Sequence, residues 1–162
     1  MKPTNPQAQG LNQQPLRAFK PIFASLSPPE IHSLKGVYKG EFTGPLWVRK
    51  TAGPCLVLAG MGGWWGKEFH PDGTGVNLVY RGGQLRPHFA IRLAAMPSLV
   101  DGKPGITVQY PKDSPFPWTL VVDELRRLDE TTLLGLTIVN AGFLRKLVFP
   151  FLLHYQEQSH GL

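Results

Sequence analysis

Cysteine, acidic side chains and long apolar runs are all scarce in this sequence. Cys55 is the single cysteine among 162 residues, which excludes an intrachain disulfide. The longest late apolar run, residues 147–153, is far shorter than the roughly 20 residues of a membrane-spanning helix. The first residues also lack the apolar segment of a secretory signal. These absences predict a soluble, cytoplasmic protein without a membrane span.

Complete catalytic and metal-binding motifs are missing as well. The sequence has no Cys/His cluster with zinc spacing, no glycine loop that opens a helix as a phosphate cradle, and no Gly-x-Ser-x-Gly turn. The carboxylates are few and scattered, so a glycosidase-like pair is not indicated. We therefore expect neither a metal nor a cofactor.

The positive charge of the chain is spread thinly. Seventeen Lys and Arg face eleven Asp and Glu, and Lys2, Arg17 and Lys20 contribute half of the formal net charge of +6. From residue 28 onward the basic residues are scattered and form no stripe interleaved with aromatic residues. This distribution argues against a nucleic-acid partner. It favours a role in solubility, or a weak attraction to anionic ligands or surfaces.

Residues 1–27 differ in composition from the rest of the chain. They are rich in Pro, Gln and Asn and have no sustained periodicity, which predicts a flexible or loosely docked arm. Apolar residues between positions 16 and 26 have the spacing of a short amphipathic helix, although Pro21 argues against a long one. A single helical turn after Ser27 is expected to cover one end of the domain formed by residues 28–162.

From Val37 the apolar pattern has the period of two that is typical of β-strands. Gly82-Gly83 has the composition of a tight hairpin turn. Strands are predicted over 37–44, 46–48, 55–61, 76–81, 87–95, 106–110, 119–128, 132–140 and 147–156, with no sustained helix after residue 35. So many antiparallel strands must hide their edges. We therefore expect an all-β fold, a small antiparallel barrel with a ligand-sized interior.

The segment Gly62-Gly63-Trp64-Trp65-Gly66-Lys67-Glu68-Phe69 is the most distinctive part of the chain. Glycine lets backbones approach closely, and a buried indole offers a large apolar body with one N–H donor. Adjacent residues of a strand point to opposite faces, so Trp65, Lys67 and Phe69 are expected to share one face. This composition favours the wall or floor of a pocket.

Two segments carry a resemblance to a known family. Gly63–Phe69 is similar to the Gly-Trp-x-Gly-Lys-x-Phe stretch of the bacterial GXWXG-domain family, and Asp123–Gly135 resembles its Asp-x-Phe-Arg-x-Val-Asp…Leu-Leu-Gly element. The run Gly36-Val37-Tyr38-Lys39-Gly40 resembles the Gly-x-Trp-x-Gly signature of lipocalin-like proteins, with Tyr38 where Trp is usual. The resemblance implies a lipocalin-like, calycin-type barrel. The family carries little assigned chemistry.

These patterns predict a protein that holds a hydrophobic or amphipathic small molecule, including an anionic one, inside the barrel. A desolvated lysine needs a partner, and Asp123 is the natural partner for Lys67; the alternative is that Lys67 extends into solvent. The predicted ligand-binding residues are Tyr38, Trp64, Trp65, Lys67, Phe69, Phe89, Arg92, Tyr110 and Asp123.

Other functions stay open at this point. Lys67 and Asp123 are the candidate acid and base of a cofactor-independent isomerase, cyclase or decarboxylase. An interaction protein with a basic arm is a third possibility, and monomer and homodimer are both open. If the barrel bound haem, His154 would be the candidate iron ligand. Arg126 and Asp129 are expected to form a structural ion pair.

Overall fold

The computed structural model describes residues 6–157. Its strands are β1 (Gly36–Phe42), β2 (Trp64–Phe69), β3 (Thr74–Arg81), β4 (Gln84–Pro97), β5 (Pro104–Gln109), β6 (Val121–Arg127), β7 (Thr132–Val139) and β8 (Val148–Gln156). Each strand pairs antiparallel with the next, and β8 pairs with β1, so the sheet closes into a barrel. Closure leaves no strand edge unpaired. The predicted small antiparallel β-barrel is confirmed.

The helices are α1 (Pro6–Leu11), α2 (Phe19–Ser25) and α3 (Leu46–Leu58). Among residues 6–157, no helix is long and apolar enough to cross a membrane. The antiparallel order places the β1–β2, β3–β4, β5–β6 and β7–β8 connections at one end of the barrel, which we call the α3 end because α3 lies in the first of them. The opposite end is called the closed end. The β3–β4 turn is the predicted Gly82-Gly83, and both residues have positive φ (59° and 77°).

Helix α3 corrects the prediction for residues 46–61, where two strands and no helix were expected. Gly53-Pro54 suggested a turn, because proline lacks an N–H and crowds the preceding turn of a helix. Residues 48, 52, 55, 56 and 59 nevertheless follow the helical period, and all of them face the barrel opening. A strand would divide the same residues between two faces. Tertiary packing therefore overrides the local preference.

The described part of the N-terminal arm, residues 6–27, is packed against the barrel, whereas a flexible or loosely docked arm was expected. Phe19 and Phe23 of α2 are fully buried. With Ala8 and Leu11 they cover an apolar patch on the outside of β7 and β8, formed by Leu134, Leu136, Ile138, Val148 and Leu152. Pro21 is the third residue of α2, where the backbone N–H has no intrahelical partner in any helix, so the proline costs little.

Arg126 fixes the arm to the barrel, and its partner is Asp101 instead of the expected Asp129. Its Nη1 and Nη2 lie 2.7 and 2.9 Å from the two carboxylate oxygens of Asp101. Nη1 also donates to the carbonyl oxygen of Phe23 (2.9 Å), and the guanidinium lies 4.5 Å from the centre of the Phe23 ring. The Asp129 carboxylate instead accepts from the backbone N–H groups of Thr131 and Thr132.

The barrel interior has two parts. The closed-end core contains Leu34, Tyr38, Phe69, Ile91, Leu93, Ile106, Val108, Leu125, Leu133, Phe151 and Leu153. A single 3₁₀ turn, Ile31–Ser33, precedes Leu34, and Ile31 packs against this core. The expected short turn therefore covers the closed end. Towards the α3 end the interior is not filled.

Candidate functional site

A cavity of about 330 Å³ occupies the barrel interior between the closed-end core and α3. Its walls are mainly apolar side chains from the strands, the α3–β2 loop and the β5–β6 loop: Phe42, Met61, Trp64, Pro117, Trp118, Val121, Val139, Phe149, Pro150 and Phe151. Lys67, Asn77, Tyr110, Asp123 and Thr137 also line the cavity, and these five polar residues form its floor. The cavity therefore combines apolar walls with a polar floor.

Helix α3 forms the roof of the cavity through Val48, Thr51, Ala52, Cys55, Leu56 and Ala59. Side chains from the strands and from the β5–β6 loop hold its C-terminal end by donating to backbone carbonyls. Trp118 Nε1 lies 2.7 Å from the oxygen of Ala59, and His88 Nε2 lies 2.7 Å from that of Gly60. Thr51 and Cys55 are exposed and also line the cavity. The cavity therefore reaches the surface beside α3.

The floor is built around an ion pair that crosses the barrel. Lys67 of β2 and Asp123 of β6 are both buried, and Lys67 Nζ lies 3.0 Å from Asp123 Oδ2. Lys67 Nζ also donates to Asn77 Oδ1 (2.8 Å) and to the Tyr110 hydroxyl (3.4 Å). The Thr137 hydroxyl donates to the other carboxylate oxygen of Asp123 (2.7 Å). The predicted Lys67–Asp123 pair is confirmed.

Electrostatics keep Lys67 charged. Burial lowers the pKa of an ammonium group, but the Asp123 carboxylate and the hydrogen bonds to Asp123 and Tyr110 outweigh it and raise the pKa of Lys67 above its ordinary value. For Tyr110, burial is the main effect and raises the pKa of the hydroxyl, which therefore keeps its proton. The ammonium also lies 5.7–5.9 Å from the ring centres of Trp64, Tyr110 and Phe151. These aromatic faces add favourable cation–π contacts.

The Tyr110 hydroxyl has an unused donor. Its oxygen accepts from Lys67 Nζ and from Asn77 Nδ2 (3.2 Å), so its own hydrogen is left to point elsewhere. Within residues 6–157 the hydrogen bonds show no acceptor for that hydrogen. Asn77 cannot supply one, because its Oδ1 already accepts from Lys67 and from Trp64 Nε1 (3.2 Å). A ligand oxygen in the cavity is a suitable acceptor.

A β-bulge turns Trp64 into the barrel. The register between β2 and β3 shifts by one residue between Trp64 and Gly66. Because a bulge adds one residue, Trp64 lies on the same side as Lys67 even though three positions separate them. Gly40 makes room for the indole, since a Cβ at that position would overlap its ring. Strict alternation predicted that Trp65 would share the face of Lys67. Because of the bulge, Trp64 and not Trp65 lies on the same face as Lys67.

Four of the nine predicted ligand-binding residues line the cavity: Trp64, Lys67, Tyr110 and Asp123. Tyr38 and Phe69 are buried in the closed-end core, where their rings pack edge to face. The remaining three, Trp65, Phe89 and Arg92, do not line the cavity.

The reasons differ from one residue to the next. Phe89 is the extra residue of a bulge in β4, has a φ of 57°, and packs on Trp118 behind the wall. Arg92 is exposed, because it lies on the outer face of β4 between the buried Ile91 and Leu93.

His154 lies on the outside of the barrel. Its Nε2 lies 2.7 Å from a carboxylate oxygen of Glu41, a residue on the neighbouring strand. A haem inside the barrel could not reach this side chain, so the candidate iron ligand was wrong. Among residues 6–157, no group of three or more His, Cys, Asp and Glu side chains could hold a metal ion.

Four parts of the site were not predicted from the sequence: Asn77, Thr137, Trp118 and the α3 residues of the roof. Asn77 stands between Val76 and Leu78 on a predicted strand, and a polar residue on an inward face was the available signal. The helical spacing of residues 48, 52, 55, 56 and 59 was the signal for the roof. Trp118 follows a proline-rich connection, where sequence periodicity carries no information.

The fold and the site define a closed eight-stranded barrel with a roofed internal cavity. This chain is similar in fold to the crystal structure of a protein from Thermomonospora curvata, with a TM-score of 0.70. The superposition covers 93% of this chain and 99% of that chain, at 15% sequence identity. At that identity the likeness establishes the barrel fold alone. No family model and no curated protein matches the sequence.

Proposed function

We propose that the protein binds a small, mainly apolar molecule with one polar end inside the barrel. The observation that carries this proposal is a cavity with apolar walls and a single polar floor. Unfilled volume and a desolvated ion pair both lower the stability of a protein relative to a filled apolar core. In this barrel the unfilled volume and the buried ion pair occur at the same place. This combination is expected where a protein has kept room and polar groups for a ligand.

The size of the cavity limits the ligand. Ligand pockets typically enclose about 300–1,000 Å³, and a cavity of about 330 Å³ is at the lower end of that range. The expected ligand is therefore compact, such as one or two fused rings or a short branched chain. Its apolar body would contact Trp64, Trp118 and Phe149, which line the wall.

The floor favours a neutral acceptor at the polar end. The charge of Lys67 is balanced by Asp123, and its donors already face Asp123, Asn77 and Tyr110. Among the described residues, the unused donors of the floor are the Tyr110 hydroxyl and the second N–H of the Asn77 amide, and both suit a carbonyl, ether or hydroxyl oxygen. A carboxylate would have to compete with Asp123 for the ammonium. We therefore propose a carbonyl- or hydroxyl-bearing molecule over an anion.

The direct test is native mass spectrometry of the purified protein, followed by identification of any released molecule. Ala52→Phe should abolish ligand retention, because Ala52 is on the roof and the added ring would fill the cavity. Ala95→Phe is the matched control, since Ala95 is exposed on β4 and does not line the cavity. Equal retention by both variants would exclude this cavity as the site.

A second candidate is catalysis in the same cavity, because Asp123 and Tyr110 both lie within hydrogen-bonding reach of Lys67. The raised pKa of Lys67 makes it an electrostatic stabiliser or acid, and leaves the role of base to Asp123. A bound ketone would then exchange its α-hydrogens. Incubating the protein with such a ketone in D₂O and measuring deuterium uptake tests this. Uptake no faster with wild type than with Asp123→Asn would reject catalysis.

We also propose membership in the GXWXG-domain family and a cytoplasmic location. The resemblance of Gly63–Phe69 to the family motif supports the first, and the short apolar runs of the sequence support the second.

A further inference from the structure

We infer that the α3 end of the barrel docks on the surface of an anionic lipid bilayer. The inference starts from the distribution of charge. Four connections, taken with their neighbouring strand residues, meet at this end: residues 43–63, 81–86, 110–120 and 140–147, where 81–86 includes Arg81 at the end of β3 and residues 84–86 at the start of β4. They carry seven basic residues, Arg49, Lys50, Arg81, Arg86, Lys112, Arg145 and Lys146, and one acidic residue, Asp113.

The rest of the described chain has no positive excess. Outside these four connections, residues 6–157 contain nine Lys and Arg against ten Asp and Glu. The seven basic side chains form no salt bridge with a carboxylate of the described residues. All are exposed except Arg49, which is half-buried. The positive excess of residues 6–157 is therefore concentrated on one end of the barrel, where most of the basic side chains are exposed.

The same end exposes large apolar side chains. Trp47 and Leu58 of α3 are 57% and 90% exposed, Phe116 of the β5–β6 loop is 80% exposed, and Phe143 of the β7–β8 connection is 76% exposed. Single exposed apolar residues are ordinary, but these four come from three separate connections that converge on one end. Exposed aromatic and leucine side chains among Lys and Arg are typical of surfaces that enter the interfacial layer of a membrane.

Charge complementarity selects the partner. Basic residues near a membrane are attracted to anionic headgroups, and each contributes to binding over a distance of about one Debye length. The apolar side chains stand on loops and on the roof helix, so each can enter the headgroup layer without any change in the barrel. The cavity opens beside α3 at Thr51 and Cys55. If the proposed ligand binding holds, docking would place that opening at the lipid surface.

The test is co-sedimentation of the full chain with vesicles of phosphatidylcholine alone or with 30% phosphatidylglycerol. We expect at least tenfold tighter binding to the anionic vesicles, with most of it lost in 1 M salt. Lys50→Glu/Lys146→Glu should lower the affinity at least tenfold, and Phe116→Ser/Phe143→Ser should lower it in 1 M salt as well as at low salt. Lys35→Glu/Lys39→Glu, which changes two exposed lysines away from the α3 end, is the matched control.

Four results would overturn the inference: no binding to either vesicle, equal binding to both, an equal loss in the α3-end and control variants, or displacement of the protein from vesicles by soluble glycerophosphate. If the protein binds neither vesicle, a protein partner becomes the better explanation for the exposed surface of the α3 end. If soluble glycerophosphate at millimolar concentration displaces the protein from vesicles, the site recognises a free phosphate group and the bilayer is not the partner. Ligand retention by the cavity is measured without vesicles, so failure of one proposal does not decide the other.

Discussion

The two ends of the barrel interior are built from the same eight strands but differ in packing: one end is filled with side chains, and the other encloses a cavity. The closed end is packed with aliphatic and aromatic side chains and contains Leu125, Leu133 and Leu153 at close to zero exposure. The α3 end contains a cavity of about 330 Å³ and a buried ion pair. A barrel of this size can therefore be filled by side chains alone. The difference shows that the cavity is a feature of particular residues and not of barrel geometry.

The outer surface repeats this contrast in another form. On β7 and β8 an apolar patch is covered by α1 and α2 and held by Arg126 and Asp101. At the α3 end, Leu58, Phe116 and Phe143 remain uncovered. The N-terminal arm therefore covers one apolar surface, while the apolar side chains at the α3 end stay exposed. Substitutions in the packed and in the unfilled regions should therefore differ in their effects on stability and binding.

The largest expected effect is on the ion pair of the floor. Asp123→Asn leaves the buried ammonium of Lys67 without a countercharge and should lower the free energy of unfolding by about 3–5 kcal/mol. The double variant Lys67→Met/Asp123→Asn removes both charges and should recover at least half of that loss. Urea denaturation of the three proteins measures this. If the double variant is less stable than the single one, the pair stabilises the fold outright and is not a cost accepted for function.

A pair of leucine truncations compares the two ends directly. Leu125→Ala in the closed-end core should lower the free energy of unfolding by about 2–5 kcal/mol, because it opens a new cavity. Leu56→Ala on the roof should cost about 1 kcal/mol, since its side chain is half-buried and already borders open volume. Chemical denaturation gives both values. Equal costs would mean that the α3 end is packed as tightly as the closed end.

Acidification should loosen the arm before the barrel. The Arg126 guanidinium holds the pKa of the Asp101 carboxyl at about 2, below its ordinary value of 3.8. A depressed pKa gives stability that is complete above the ordinary value and is lost as pH falls towards the folded value. Lowering the pH from about 4 to 2 should therefore reduce the melting temperature by more in wild type than in Asp101→Asn, by about 3 °C. Identical pH profiles would rule out this role for Asp101.

Much of the fold follows from the sequence, because strand alternation and turn chemistry are local. Tyr38, Gly40 and Phe42 alternate as predicted, and Gly82-Gly83 turns as predicted. Helix α3 could not be predicted from the sequence. Gly53-Pro54 disfavours a helix locally, and the contacts that stabilise α3 come from the barrel opening. Folding of residues 6–27 onto β7 and β8 likewise depends on a surface that exists only after the barrel has closed.

The site was predictable only in part, for a related reason. Lys67 and Asp123 belong to strands on opposite sides of the barrel. The need of a buried lysine for a countercharge predicted a partner, and the position of Asp123 at the start of the second family-like segment selected it. The bulge at Trp64–Gly66 has no local signature, so the exchange of Trp65 for Trp64 on the inner face was not predictable from alternation. The exposed position of Arg92 and the outward position of His154 depend on strand register in the same way.

The measurement that tests the central claim most directly is a titration with prodan, a neutral naphthyl ketone whose emission reports hydrogen bonding to its carbonyl. Wild type should bind it with a blue-shifted emission. Tyr110→Phe should bind about tenfold more weakly, because it removes the hydroxyl donor of the floor, while Tyr155→Phe, outside the cavity on β8, should bind as wild type does. Binding that is absent, or unchanged in Tyr110→Phe, would contradict a ligand site whose polar floor is centred on Lys67, Asp123 and Tyr110.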